Sequence, residues 1–157
     1  MRKMRRADRE RSRDFAEGVV DRCRYAVLAT VSDDESPYGV PLSIVRDGER
    51  IYFHCARGGH KIDNLKRRNR VCLVCVGNVE EPPDHFTVVY ESAIVFGIAE
   101  EVLDDAEKVR ALRLLCERHT PDNMAAFDDE MAREYPATAV WKIYIEEISG
   151  KARPPLK

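Results

Sequence analysis

The run Phe53 to Leu65, FHCARGGHKIDNL, carries residue types suited to binding an anion. A strand pattern ends there, two glycines follow, and Lys61 falls in the first turn of a predicted helix. Glycines allow a ligand close to the backbone, free N–H groups point outward from a helix start, and Arg57 and Lys61 add positive charge. The pattern predicts a phosphate site. A plain turn that uses glycine only for its backbone conformation is the alternative, and the residues alone leave both open.

Four histidines are candidates for proton chemistry, because an imidazole can gain or lose a proton near neutral pH. His54 ends a strand pattern in an apolar run and is the leading candidate for a catalytic or substrate-facing residue. A histidine that merely orients a loop by hydrogen bonding is the alternative. We interpret His60 as a polar residue at a helix start, and His85 and His119 as plain surface residues.

Cys72 and Cys75 form a C-x-x-C motif, the spacing used by zinc and redox sites. They lie in VCLVCV, which is typical of a buried strand, and residues three apart on a strand point to opposite faces. No second Cys/His pair stands at ligand spacing. The sequence therefore predicts two core cysteines and no metal site, and an odd total of five cysteines favours a reducing compartment.

The composition predicts one globular domain over residues 1–157. A chain of this length buries roughly 70% of the surface of its unfolded form, so it needs no disulfide or metal to stabilise it. Its 26 basic and 28 acidic residues give a net charge of -2, which argues against a nucleic-acid partner. No run approaches the ~20 apolar residues of a membrane span, and no apolar signal core follows the basic N-terminus. We expect a cytoplasmic protein with no membrane partner.

The basic segment of about residues 1–13 is predicted to be a solvated arm, or an arm that covers a partner subunit. Hydrophobic periodicity beyond it predicts short helices and alternating strands. Asp47-Gly48 predicts a hairpin with a type I′ turn, and Asp104 with Glu107 predicts a capping box. The predicted strands are 25–31, 38–45, 50–55, 71–76, 86–102 and 138–148; the predicted helices are 14–24, 60–69, one starting at 104, and about 122–134; 77–85 is predicted to be a loop.

Six strands, mostly connected by hairpins, predict a mainly β fold, a small closed or nearly closed β-barrel with flanking α-helices. Several motifs in this order are distinctive, and they span nearly the whole chain. They are LAT (28–30), YGVPLS (38–43), IYFHCARGGHKIDNL (51–65), VCLVCV (71–76), YESAIVFGIAEEV (90–102) and EEISGK (146–151). Together they resemble the pyridoxamine 5′-phosphate oxidase-like flavoproteins, and the chain is most similar to their 5-nitroimidazole-resistance (Nim-type) branch. The resemblance implies an FMN-binding split β-barrel that forms a homodimer, with one flavin in each of two clefts between subunits.

The resemblance also implies which residues contact the cofactor. The edge of the strand beside the isoalloxazine ring is assigned to Val40, Pro41, Leu42 and Ser43, where proline leaves the edge open because it donates no N–H. The flavin and its ribityl chain are flanked by His54, Cys55 and Ala56, and the phosphate is held by Gly59, His60 and Lys61. The next barrel strand passes the cofactor at Tyr90, Glu91 and Ser92, with Trp141 and Lys151 as further contributors. Glu91 has an alternative interpretation as an ordinary charge on the outer barrel face.

The function implied by the resemblance is an FMN-dependent oxidoreductase that reduces a small organic acceptor such as a nitro-aromatic. In such an enzyme the flavin carries the redox chemistry, and the protein supplies binding and orientation. The alternative is a flavin- or haem-binding module with a sensing or storage role and no turnover. No acid/base pair in the sequence separates these two functions.

Overall fold

Residues 3–153 are described by the computed structural model of the protein. Within this range the chain forms eight strands, four α-helices and three short 3₁₀-helices. None of these helices is long and apolar enough to cross a membrane. The strands are β1 (Glu10–Arg11), β2 (Ala26–Val31), β3 (Pro37–Leu42), β4 (Val45–Asp47), β5 (Arg50–Ala56), β6 (Arg70–Glu80), β7 (Val89–Glu101) and β8 (Thr138–Arg153), and the helices are α1 (Arg13–Arg22), α2 (His60–Arg67), α3 (Asp105–His119) and α4 (Phe127–Glu134).

The strands form one antiparallel sheet in the order β3-β2-β6-β7-β8-β5-β4, with β1 paired to β8. The two terminal strands of this order, β3 and β4, are consecutive in the chain and are joined by Ser43 and Ile44 alone. A link of two residues forces the sheet to curl until its two edges approach each other. Within the described residues β3 and β4 are not neighbours in the sheet, so the barrel is split. The predicted mainly β barrel with flanking helices is confirmed.

The barrel interior holds the main core. Strand residues alternate between the two faces of a sheet, and the inward set is almost entirely apolar. Helices α1 and α2 add Val19, Val20, Ile62 and Leu65 to this core, as the spacing of their apolar residues predicts. The inward strand residues include Leu28, Ile51, Phe53, Leu73, Val95, Trp141 and Ile143.

A second core lies outside the barrel, where α3 and α4 pack on β5 and β8. Tyr52 and Val140 point from these strands toward Leu112, Leu115 and Phe127 of the helices. Helix α3 begins with the predicted cap, since Oδ1 of Asp104 accepts a hydrogen bond from the Glu107 N–H at 2.7 Å. These two helices form one wall of the site described below.

Several predicted strand boundaries are wrong. The predicted strand 38–45 divides at Ser43 and Ile44, because β3 pairs with β2 whereas β4 turns to pair with β5. The predicted loop 77–85 starts later, because β6 continues to Glu80 past a register shift between Val76 and Val79. The predicted helix of about 122–134 begins as a 3₁₀-helix, Pro121–Ala126, before α4.

The hairpin at Asp47-Gly48 is confirmed, but its turn differs from the predicted type I′. Asp47 pairs with Arg50, so Gly48 and Glu49 are the central residues. Only Gly48 has a positive φ, 58°, whereas a type I′ turn needs two such residues. Glycine at the first central position of the turn therefore allows the chain to reverse direction.

Two further predictions need correction. The predicted solvated arm is partly in the sheet, because Glu10 and Arg11 pair with Lys151 and Gly150; Met1 and Arg2 lie outside the described residues. Cys75 is a core cysteine as predicted, but Cys72 is only half-buried and points to the outer side of the barrel. The alternation of the strand separates the two thiols, and both cysteines are free.

Gly97 → Ala should destabilise the fold by about 1–3 kcal/mol, the usual cost of overpacking. Gly97 lies at the register shift between β7 and β8, where an added Cβ would stand 2.1 Å from the carbonyl oxygen of Tyr144. Backbone atoms on a paired strand cannot move aside as a flexible side chain would. Urea unfolding measures the loss, and Gly58 → Ala, whose Cβ would meet no atom within 4 Å, is the matched control. Equal stability of the two variants would contradict this packing argument.

Candidate functional site

A cavity of about 740 Å³ lies between the end of β5, the start of α2 and the helices α3 and α4. This volume is within the usual range for cofactor and small-molecule sites. Five of the residues predicted to contact a cofactor line it together: Ser43, His54, Cys55, Ala56 and Lys61. The opposite wall combines apolar side chains with two carboxylates that pair with Arg133. The apolar members are Leu112, Leu115, Phe127 and Met131, and the carboxylates are Glu130 and Glu134. The fold thus gathers residues from two predicted motifs, YGVPLS and IYFHCARGGHKIDNL, into one concave site.

The start of α2 is built to receive an anion. Gly59 precedes the helix with φ 119°, a conformation that only glycine adopts readily. A Cβ added at Gly58 or Gly59 would meet no atom within 4 Å, so open space lies in front of this backbone. The first N–H groups of a helix have no intrahelical acceptor, and they carry the positive end of the helix dipole. Backbone geometry and charge therefore favour a phosphate here.

Lys61 adds a cation at this helix start. Among residues 3–153 no side chain or carbonyl forms a hydrogen bond or ion pair with the Lys61 ammonium group. A half-buried lysine without a bonded counter-ion places a positive charge in the cavity wall at this helix start. An anionic ligand would compensate it.

His54 points from β5 into the same cavity. Solvent reaches its ring, but the cavity walls enclose much of it, and this partial burial lowers the pKa of His54 below its ordinary value. The positive charges of His119 and Lys61 lower the same pKa further. Its neighbour Cys55 has a raised pKa because burial disfavours the thiolate. His54 is therefore neutral near pH 7 and able to accept a proton.

Polar contacts fix α2 against the barrel. The ring of His60 lies 2.9 Å from Oγ of Ser32, measured from Nε2, and packs on Tyr38 with 4.1 Å between ring centroids. One turn later the buried Asn64 amide donates to Oγ1 of Thr30 at 3.0 Å. These contacts hold the first turn of α2 beside β2 and β3.

Strand β3 brings the predicted flavin-edge residues next to this helix start. Its pairing is with β2 alone, so its other edge has no strand partner within the described residues. Val40 and Leu42 point inward and pack on the barrel core, whereas Pro41 points outward opposite Val27. Pro41 offers no N–H, so this position of the edge cannot pair with another strand through a donor. Ser43 follows directly and lines the cavity.

Other predicted residues lie away from the cavity. Tyr90 and Ser92 lie near the first end of β7. The part of β7 nearest to α2 is at Ile98, which pairs with Arg70 at the start of β6, just after α2. Tyr90 and Ile98 are eight positions apart on the strand, which corresponds to roughly 27 Å at about 3.4 Å per residue. Glu91 accepts hydrogen bonds from the Arg22 guanidinium at 2.8 and 3.1 Å, and on β7 it has the parity of the core residues Ala93 and Val95, so it does not lie on the outer barrel face.

Trp141 and Lys151 are also separate from the cavity lining. Trp141 is 4% exposed in the barrel interior, and its Nε1 has no hydrogen-bond partner among the described residues. Lys151 lies near the Tyr90 ring, 5.7 Å from its centroid, and its carbonyl accepts a hydrogen bond from Ser92. Within one chain, then, the predicted residues form a cavity group and a group at the far end of β7.

The sequence did not identify the α3–α4 wall or His119 as parts of the site. His119 is half-buried, not a plain surface residue, and its Nε2 lies 2.8 Å from the carbonyl oxygen of Ile44. That contact ties the end of α3 to the link between the two sheet edges. No local motif predicts it, because it depends on how α3 packs on the sheet. Among residues 3–153 no three His, Cys, Asp or Glu side chains are grouped to hold a metal ion.

One side of the sheet is apolar and exposed. Cross-strand pairing places Val27, Val74 and Ile94 in one row and Ala29, Cys72 and Phe96 in the next. We call these six residues the outer face. Ile94 and Phe96 remain 38% and 37% exposed, and a groove of about 900 Å³ beside them is bordered by Lys3 and Met4 of the N-terminal segment.

The sequence of this chain matches one known protein family. Residues 12–152 match the sequence profile of the family described as pyridoxamine 5′-phosphate oxidase. No protein of curated function matches the sequence significantly.

Similar solved structures cover most of the chain. A candidate 5-nitroimidazole antibiotic resistance protein from Bacteroides thetaiotaomicron is 24% identical, with a TM-score of 0.74, and the alignment covers 90% of this chain and 84% of that one. A conserved hypothetical protein from Mycobacterium tuberculosis is 21% identical, with a TM-score of 0.76 and coverage of 99% and 96%. A flavocytochrome from Azotobacter vinelandii is 25% identical, with a TM-score of 0.72 and coverage of 99% and 75%.

Proposed function

We propose that this chain, which belongs to the pyridoxamine 5′-phosphate oxidase family, is a flavoprotein that binds FMN with its phosphate at the start of α2. The observation that carries the proposal is the unpartnered Lys61 beside the open Gly58-Gly59 backbone, at the mouth of the 740 Å³ cavity. FMN ends in a phosphate, so it matches this site better than riboflavin, which has none. The flavin-containing neighbour from Azotobacter vinelandii supports the same class of cofactor.

The ring system would lie along the open edge of β3. This edge ends at the cavity and comprises Val40, Pro41, Leu42 and Ser43. The end of β5 also lines the cavity, with His54, Cys55 and Ala56. A planar apolar ring needs an apolar surface with a few hydrogen-bonding groups, and this edge supplies both. The residues present therefore fit FMN, with Gly59, His60 and Lys61 at the phosphate.

We further propose that two copies of the chain pair through the outer face. A sheet face lined by valine, isoleucine and phenylalanine gains stability when a partner removes it from water. A second copy is the occupant we favour, because homo-oligomers with twofold symmetry are the commonest assemblies and present the same patch twice. Tyr90 and Ser92 have the same parity on β7 as Ile94 and Phe96, so they lie on the same side of the sheet.

Pairing through the outer face also accounts for the two separate groups of predicted residues. Tyr90, Ser92 and Lys151 are far from Lys61 of their own chain but stand beside the proposed interface. In a dimer they would reach a cofactor bound to the other subunit. Glu91 is engaged by Arg22 and Trp141 is enclosed in the core, so for these two we propose a supporting role only.

As activity we propose reduction of a small organic acceptor, with a nitro-aromatic compound as the model substrate. The nearby structure from Bacteroides thetaiotaomicron, a candidate nitroimidazole resistance protein, supports this choice. Bound FMN, once reduced by an external electron donor such as a reduced nicotinamide, would supply the electrons. The apolar side chains of the α3–α4 wall would exclude water, and His54 would exchange a proton at its free ring nitrogen. We place this activity in the cytoplasm. A flavin- or haem-binding module without turnover, in a sensing or storage role, is the alternative, and the name of the flavocytochrome neighbour supports the binding of these groups.

Lys61 → Ala should weaken FMN binding by about 10- to 100-fold, because a charge-assisted hydrogen bond contributes roughly 1.5–3 kcal/mol. Riboflavin binding should stay unchanged. Calorimetric titration of the apoprotein with each ligand measures both effects. Lys66 → Ala, at the other end of α2, is the matched control and should leave both affinities intact. A parallel loss of riboflavin affinity in Lys61 → Ala would count against a phosphate contact.

A further inference from the structure

Ser32, Asn64 and His60 form a chain of polar contacts behind the start of α2, and the proposed phosphate site does not explain it. Ser32 is 6% exposed and Asn64 is 5% exposed, so both polar side chains are buried. The Asn64 amide nitrogen lies 3.0 Å from Oγ1 of Thr30 and 3.5 Å from Oγ of Ser32. Oγ of Ser32 lies 2.9 Å from Nε2 of His60.

The direction of these hydrogen bonds follows from the atoms involved. An amide nitrogen only donates, so Asn64 directs its hydrogens toward the oxygens of Thr30 and Ser32. The Ser32 hydroxyl has one hydrogen, and Nε2 of His60 is its one acceptor among the described residues. If Nε2 carried the hydrogen, the buried Ser32 hydrogen would lack an acceptor, which costs about 1–3 kcal/mol. Nε2 therefore accepts, and the neutral ring of His60 carries its hydrogen on Nδ1.

The Nδ1–H group then lies on the side of the ring away from Ser32. His60 is the first residue of α2 and is exposed, and its ring is held in place by Tyr38. Asp34 is the acidic group nearby, but among the described residues its side chain forms no hydrogen bond with His60; its Oδ1 accepts from the N–H and the hydroxyl of Ser36 at 3.0 and 2.6 Å. Nδ1–H is thus free to donate to a ligand at the helix start.

We propose that Ser32 and Asn64 are positioning residues that fix His60 as an Nδ1–H donor to the ligand phosphate. This inference rests on the proposed phosphate site at α2. His60 and Lys61 are the first two residues of α2, so this donor would add to the Lys61 ammonium and the free N–H groups of the helix in binding one anion. These contacts connect the barrel to His60, so the barrel determines which ring nitrogen of His60 carries the hydrogen.

Nitrogen-15 NMR of histidine-labelled apoprotein at pH 8.5 tests the assignment, because it distinguishes a protonated ring nitrogen from an unprotonated one. The wild type should show His60 with its hydrogen on Nδ1. Ser32 → Ala should give a mixture of both tautomers, and Ser32 → Thr, which keeps the hydroxyl, should restore the single form. Ser12 → Ala, which removes a serine hydroxyl at the start of α1, is the control and should leave His60 unchanged.

Titration with FMN and riboflavin provides the second readout. Ser32 → Ala should weaken FMN binding roughly tenfold and leave riboflavin binding unchanged, as expected for loss of one oriented hydrogen bond to a charged group. Hydrogen on Nε2 in the wild type, or an unchanged single tautomer in Ser32 → Ala, would overturn the positioning role. An equal loss of both ligands would also overturn it, because it would show general damage to α2. Equal affinity of the wild type for FMN and riboflavin would refute the proposed phosphate site. The NMR experiment would still determine the tautomer of His60, so the two proposals can fail independently.

Discussion

Phe96 → Glu should convert the protein to a monomer and abolish retention of FMN. In the proposed dimer this carboxylate would be moved from water into an apolar contact, and the burial of a charge costs several kcal/mol. A loss of that size weakens dimerisation by more than about 1,000-fold. Because the cofactor is proposed to lie between subunits, dissociation and loss of FMN should occur together.

Light scattering over a dilution series, with the absorbance of bound flavin recorded in parallel, measures both effects. Val109 → Glu is the matched control, because Val109 is also 37% exposed but lies on α3, away from the outer face. It should remain a dimer with a full complement of flavin. A Phe96 → Glu protein that stays dimeric would place the interface elsewhere. A monomer fully loaded with FMN would contradict a cofactor site shared between subunits.

His54 → Ala should leave FMN stoichiometry nearly intact while lowering the rate of acceptor reduction by roughly 100-fold, the low end of the usual general acid–base contribution. The physical reason is the position of the ring, in the cavity wall beside Lys61 and facing the apolar surface of α3. Single-turnover reoxidation of the reduced protein by a nitroimidazole isolates this step from electron supply.

The pH profile distinguishes a proton-transfer role from simple packing. In the unliganded protein the pKa of His54 is below the ordinary value of about 6.5, because of burial and the charges of His119 and Lys61. A bound phosphate would offset the charge of Lys61 and move this pKa upward again. A plot of the wild-type reoxidation rate against pH should show a step where His54 gains or loses its proton. The same plot for His54 → Ala should lack this step. His85 → Ala, in an exposed loop, should behave as the wild type, and an unchanged rate and profile in His54 → Ala would leave His54 structural.

The local elements of the site were predictable from sequence because they depend on short-range chemistry. Gly59 must adopt a positive φ, Asp104 caps α3, and Ile62 with Leu65 fixes which side of α2 faces the core. Each of these features is encoded within a few residues. The same is true of the alternation that separates Cys72 from Cys75.

The remaining parts of the site depend on long-range packing, which no single segment encodes. The contact between His119 and Ile44 requires α3 to cross the link between the sheet edges. The pairing of Ser32 with His60 joins a turn to a helix 28 residues away. The split at Ser43 and Ile44 was missed because apolar strand residues continue across it, and only the change of pairing partner ends β3.

The central claim is that α2 begins a phosphate site for FMN. Calorimetric titration of the wild-type apoprotein with FMN, FAD and riboflavin tests it most directly, because the terminal phosphate is what distinguishes FMN from the other two. We predict that FMN binds at least tenfold more tightly than either, as expected if the phosphate gains charge-assisted hydrogen bonds. Equal affinity for FMN and riboflavin would contradict the claim.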